Sequence, residues 1–195
     1  MRIWRFVTAC ALGAALWSPA RAEAPVYRID PAHTQVSFLV ERFGFTFVMG
    51  VFAKSEGEIW IDEAHPEDSR VDVRVSTNSL WTSDPTRDGH VREPLWLKGD
   101  AYPAMTFKST HVERTGETTA LVTGDLMIAG VTRPATLAVK LNKIGKSPAS
   151  PKRSAGFTIT GDVSRADFGL KTAKGLIGDK VSIHIEALAE QEPAA

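Results

Sequence analysis

Residues 34 to 42, Thr-Gln-Val-Ser-Phe-Leu-Val-Glu-Arg, put Val36, Phe38 and Val40 on one face of an extended chain, and Gln35, Ser37 and Glu41 on the other. A period of two with one apolar face is the pattern of a half-buried β-strand. It recurs along the chain. Val71-Asp-Val-Arg-Val75 alternates strictly, and Ala135, Leu137, Val139 and Leu141 face away from Thr136, Ala138, Lys140 and Asn142. Phe157, Ile159, Gly161 and Val163 share a face, as do Val181, Ile183 and Ile185 against Ser182, His184 and Glu186. Residues 105–114, 118–128 and 131–144 read as successive strands turning at Gly116 and Gly130, with a Ser/Pro loop from Lys146 to Ser154. Phe45 to Asp62 reads as a strand pair or one bent strand, with Gly50 and Gly57 as the points of kink or bulge.

One stretch breaks the alternation. Ser83-Asp-Pro-Thr-Arg-Asp-Gly-His-Val-Arg-Glu93 offers Ser83 or Asp84 as an N-cap and Pro85 in the first turn, which predicts a short helix. About eight strands in consecutive hairpins with one helix predict an all-β fold, an extended antiparallel up-and-down barrel. Such a barrel encloses side chains or one small ligand. Alternation alone leaves both open.

The ends bound where the chain works. Arg2 and Arg5 precede an apolar run from Phe6 to Trp17, then Ser18-Pro19 and the small-residue pattern Ala20-Arg21-Ala22. This reads as a signal peptide over 1–22, cleaved before Glu23, with 23–195 as one domain in the periplasm. The run is shorter than the roughly twenty residues of a membrane anchor. Cleavage removes Cys10, the chain's one cysteine, so disulfide and thiol chemistry are excluded from the mature protein. The mature chain holds 20 basic and 23 acidic residues, interspersed, and nothing in that balance suggests a nucleic-acid partner.

Chemical motifs are sparse. The five histidines, His33, His65, His90, His111 and His184, show no helical metal-ligand spacing, so no metal is expected, and His184 reads as a surface residue. No nucleophile elbow or phosphate-binding glycine loop occurs, and no catalytic residue is assigned. Arg42 shares the parity of Val36, Phe38 and Val40. Either the strand ends there and releases it to solvent, or it sits at the barrel mouth and meets a ligand head. Arg87-Asp-Gly-His90 groups several polar side chains and by itself reads as a surface helix with an internal ion pair. Trp60, Trp81 and Trp96 join Phe38, Phe47, Phe52, Phe107, Phe157 and Phe168 as stock for a core or a cavity wall.

The order of motifs is more specific than any single one. Tyr27-Arg-Ile-Asp-Pro-Ala-His33-Thr, Phe43-Gly-Phe with Val48-Met-Gly50-Val-Phe52, Arg87-Asp-Gly-His90, Tyr102-Pro-Ala-Met-Thr-Phe107-Lys-Ser109, Gly124-Asp-Leu-Met-Ile128-Ala-Gly130-Val-Thr-Arg-Pro134, and Ala166-Asp-Phe-Gly169 with Gly178-Asp-Lys-Val181 resemble the YceI-like family across nearly the whole mature chain. The resemblance implies a lipocalin-like barrel that binds a polyisoprenoid lipid, either an isoprenoid quinone or a polyprenyl phosphate, with no other cofactor. It implies a tail site at Phe38, Val40, Phe47, Phe52, Ile59, Trp96, Phe107, Leu126, Ile128, Phe157 and Phe168, and a head site at Arg42, Asp88 and His90. Arg42 stands where the family usually has histidine, and Glu93-Pro-Leu-Trp-Leu-Lys98 replaces the family's usual Ser-x-Asp-Phe-Phe-Asp.

Burying a long prenyl tail at about 0.8 kcal/mol per methylene would nominally exceed any real affinity. Most of that gain is shared with a bilayer, so exchange with a membrane governs the useful affinity. The leading expectation is a non-enzymatic carrier or scavenger in transient contact with a membrane surface, with a homodimer left open. The rivals are an enzyme acting on a lipid or small amphiphile with His90, Asp88 or His33 as acid or base, and an interaction module with a filled core.

Overall fold

A computed structural model of the chain describes residues 24–193, so the expected signal peptide, with Cys10, lies outside the described residues. The strands are β1 (Val26–Ile29), β2 (Gln35–Arg42), β3 (Thr46–Phe52), β4 (Ser55–Trp60), β5 (Arg70–Ser76), β6 (Leu80–Trp81), β7 (Ala104–Arg114), β8 (Thr119–Ile128), β9 (Val131–Lys146), β10 (Arg153–Ser164) and β11 (Ile177–Gln191). One α-helix, α1 (Pro85–Arg92), interrupts them where the sequence predicts it. Asp84 caps it, its carboxylate accepting from the N–H groups of Thr86 at 3.0 Å and Arg87 at 3.2 Å.

Eleven segments make eight barrel positions, because three pairs of segments are halves of one interrupted strand. Along one edge of β11, Tyr27 of β1 lies opposite Gln191 and Val40 of β2 opposite Val181. On their far side Ile59 of β4 faces Tyr27 and Phe52 of β3 faces Val36, so β3 and β4 are one strand broken at Ala53-Lys54. β5 and β6 repeat the pattern across the 3-10 turn Thr77–Ser79, pairing with β4 and β3 respectively. Counted this way, neighbours in sequence are neighbours in the sheet, and the pairing of β1 with β11 closes an antiparallel up-and-down barrel of eight strands.

The closing strand β1 is four residues long, too short for its period to register in the sequence, and β6 has only two residues. The bend expected at Gly50 or Gly57 falls instead between them, at Ala53-Lys54. Gly50 is extended, and a Cβ there would overlap the Phe38 ring. At Gly57 φ is +146°, with the Asp72 carbonyl where a Cβ would go.

The upper end of the barrel carries the β2–β3 turn, the Thr82–Pro103 segment with α1, the Ala129-Gly130 turn and the β10–β11 connection. The lower end carries the β4–β5, β7–β8 and β9–β10 loops. Strand β7 begins at Ala104, opposite Ser76, so at the level of β6 the wall is completed by Thr82–Pro103. Packed apolar side chains form three clusters: Tyr27, Ile29, Ala155 and Ala189; Phe107, Val112, Val122 and Leu137; and Ile128, Ala129, Phe168 and Leu170. None of the three includes a residue of β2 or β3.

Candidate functional site: a hollow barrel with a cationic end

The inward faces of the strands enclose a cavity of about 890 Å3 that reaches both ends of the barrel. That lies near the top of the range for small-molecule pockets, roughly 300–1,000 Å3. Val36, Phe38, Val40, Ile59, Leu126 and Ile159 all point inward yet are only half-buried. In a filled core of ordinary packing density such side chains would bury one another. Here they face open space, so the interior is a cavity and the filled-core expectation is set aside.

Ten of the eleven residues expected at the tail line this cavity: Phe38, Val40, Phe52, Ile59, Trp96, Phe107, Leu126, Ile128, Phe157 and Phe168. Phe38 and Phe52 pack with ring centroids 5.6 Å apart. Phe47 is a correction, since it projects from the outer face and is 64% exposed. The reason is parity. Phe47 and Phe52 lie five residues apart on one continuous strand, so they cannot share a face, and Phe52 is the inward one.

Of the head residues, Arg42 and His90 line the upper end and Asp88 does not. Arg42 is the last residue of β2, exposed, with its guanidinium 4.2 Å from the centre of the Phe43 ring. The strand thus ends at a residue of inward parity, which is exposed and yet lines the end of the cavity. Asp88 is 6% exposed, and its Oδ1 accepts the Thr82 hydroxyl at 2.6 Å. On a helix, residues two apart point about 200° apart, so His90 and Asp88 cannot both face the cavity. The ion pair expected within the helix is likewise replaced. Arg87 Nε donates to Thr82 Oγ1 at 2.8 Å and its Nη2 donates to the Thr82 carbonyl, so Thr82 bridges Arg87 and Asp88.

The sequence reading missed Arg87 and Arg165 as cavity-lining groups. Arg165 sits directly before the Ala166-Asp-Phe-Gly169 motif, and its position in a turn carries no periodic signal. It is 7% exposed. Its Nε donates to the Gly178 carbonyl at 2.8 Å, Nη1 to those of Leu170 and Thr172 at 3.0 Å, and Nη2 to that of Ile177 at 3.1 Å. Burial pulls its pKa down, against the opposing attraction of Asp179. The guanidinium therefore ties the β10–β11 connection together and leaves a positive charge beside the cavity. With Arg42 and Arg87 it gives the upper end a cationic lining beside His90, in which Asp84 is the acidic group and is engaged at the N-terminus of α1.

At the lower end, Asp62, His65 and Asp68 bring three potential metal-ligand atoms within 4.8 Å of one another, a proximity that histidine spacing did not reveal. Asp62 Oδ1 accepts the N–H groups of Ala64 at 3.0 Å and His65 at 2.8 Å, which shapes the turn.

Comparison with known proteins agrees with this architecture. The chain is 41% identical over 165 residues to a UPF0312 protein of Pseudomonas putida (strain W619), covering 84% of this chain and 85% of that one. The crystal structure of Burkholderia cenocepacia BcnA superposes with a TM-score of 0.73 at 21% identity, over 82% of this chain and 98% of the other. A polyisoprenoid binding domain from Saccharophagus degradans, described as implicated in plant cell wall breakdown, superposes with a TM-score of 0.65 at 16% identity, over 85% and 98%. The YceI-like domain matches residues 27–189, from the closing strand β1 almost to the end of β11, and the chain belongs to the YceI-like family.

Proposed function

We propose that the protein is an exported, non-enzymatic carrier that holds one long isoprenoid lipid in the barrel, with the tail along the apolar wall and the head at the upper end. The observation that carries this reading is the hollow interior, lined by half-buried aliphatic and aromatic side chains through most of its length. Family membership supports it, as does the fold shared with a polyisoprenoid binding domain. The lining cations Arg42, Arg87 and Arg165 favour an anionic head, such as a prenyl phosphate, over a neutral quinone. Export to the periplasm rests on the amino-terminal sequence pattern.

Native mass spectrometry and lipid extraction of protein purified without detergent test the proposal. The expected result is one co-purifying prenyl lipid per chain, and intact mass starting at Glu23 when the protein is recovered from the periplasm. A protein that is empty as isolated and takes up no added prenyl lipid would overturn it. The enzyme reading loses its acid-base pair, because Asp88 is turned into the fold against Thr82 while His90 faces the cavity.

A further inference from the structure

Four large apolar side chains stand exposed at the upper end: Phe45 at 92%, Leu95 at 71%, Leu176 at 57% and Phe43 at 43%. They come from three separate connections, yet they form one rim. The Phe43 N–H donates to the Leu176 carbonyl at 2.7 Å, and the Thr172 hydroxyl donates to the Leu95 carbonyl. Phe47 and Met49 extend the apolar surface down the outside of β3. Exposed apolar groups gathered in this way mark a contact surface. Beneath the rim, Arg42, Trp96, Leu170 and Ile177 line the end of the cavity.

Charge is divided along the barrel in the same sense. The connections at the upper end hold six basic and five acidic residues, whereas those at the lower end hold one basic and five acidic. Exposed Lys171 and Lys174 lie on the same connection as Leu176, and exposed Arg42 adjoins Phe43. An anionic surface would therefore attract the rim and repel the opposite end.

We infer that the upper rim is a docking surface for an anionic lipid bilayer: Phe45 and Leu95 enter the interface, and Arg42, Lys171 and Lys174 meet the head groups. Phenylalanine and leucine are the kind of side chain that interfacial segments bury at the boundary between head groups and acyl chains. The contact is shallow, because β3 pairs with β6 only at Val51 and Phe52, and the outer backbone edge of Thr46 to Gly50 has no strand beside it. Unpaired backbone groups do not enter hydrocarbon. The inference rests on the carrier reading for its purpose, since docking here brings the end of the cavity against the source of its cargo.

Cosedimentation of the mature protein with phosphatidylcholine vesicles, with and without phosphatidylglycerol, tests the surface. Binding to the anionic vesicles is expected to exceed binding to the neutral ones and to fall with added salt. Phe45→Ser with Leu95→Ser is expected to weaken it about tenfold or more. Lys171→Glu with Lys174→Glu is expected to remove the preference for anionic lipid. All four positions are surface residues of loops, and circular dichroism verifies that the variants fold. Binding that is absent from both vesicles, or unchanged in the Phe45/Leu95 variant, overturns the inference. So does a dimer, seen by sedimentation equilibrium, that the same variant splits while vesicles bind neither form.

Quenching of Trp96 by a short-chain isoprenoid quinone separates this test from that of the carrier. Protein that takes up the quinone but ignores vesicles overturns docking alone. Protein that docks and takes up neither the quinone nor any extractable lipid overturns the carrier reading alone.

Discussion

The far end of the Phe38 ring reaches over Gly50, its cross-strand partner on β3, so closely that a β-carbon on Gly50 would overlap it. An aromatic side chain folded over a glycine shields the exposed backbone and keeps its own bulk against the wall. The cavity beside β2 and β3 owes its width to that arrangement.

Gly50→Ala is therefore expected to push the Phe38 ring into the cavity. The ring has open space to move into, so the cost is about 1 kcal/mol, at the low end for overpacking. Gly57→Ala meets the Asp72 backbone carbonyl at a φ of +146°, where neither partner can yield, and should cost about 3 kcal/mol. Urea denaturation of both variants checks the ranking. Lipid uptake should fall for Gly50→Ala, because its cavity is narrowed.

Asp88→Ala removes the acceptor of the buried Thr82 hydroxyl. Stability should drop by about 1–3 kcal/mol, the usual cost of stranding a buried polar group. Ligand affinity, measured by tryptophan quenching in conditions where the variant is folded, should stay unchanged, because Asp88 is absent from the cavity wall. A variant of ordinary stability with impaired binding would return Asp88 to the ligand site.

Asp179 accepts from the Ser164 hydroxyl at 2.6 Å and from the Ala166 N–H at 2.9 Å, and these bonds, with the nearby Arg165 and Lys174 charges, hold its pKa below the ordinary 3.8. A carboxylate with a lowered folded pKa contributes stability that is fully present above its unfolded pKa and is lost as pH falls through the folded value. The chain should thus lose stability on acidification below about pH 4. Asp179→Asn should flatten that part of the profile, as followed by thermal denaturation from neutral to acid pH.

Arg42→Met keeps the length of the side chain and removes its charge. Affinity for a prenyl phosphate should fall about tenfold relative to a quinone of the same tail, the equivalent of one charge-assisted hydrogen bond. Competition between the two lipids for the purified protein measures the shift. An unchanged preference would leave Arg42 as a rim residue stacked on Phe43.

Most of the barrel was legible from period alone. β2, β5 and β8 to β11 carry runs of alternation with one face toward the interior, β7 does so on either side of a bulge between Ser109 and His111, and Asp84-Pro85 announces α1. β1 and β6 were not legible, because segments of four and two residues carry no period and exist through their partners. Phe47 shows the converse limit: an aromatic residue advertises burial by type, whereas its position five residues before Phe52 sends it outward.

What the sequence by itself determined is the set of inward faces and their hairpin order, since both follow from local parity and turn chemistry. Only the tertiary structure decided that those faces stand apart around a cavity, because strand closure through β1 and the spacing of opposite walls depend on residues far apart in the chain. It also decided the composition of the cationic end. Arg42, Arg87 and Arg165 come from a strand end, a helix and a turn, and no spacing in the sequence relates them until the barrel closes.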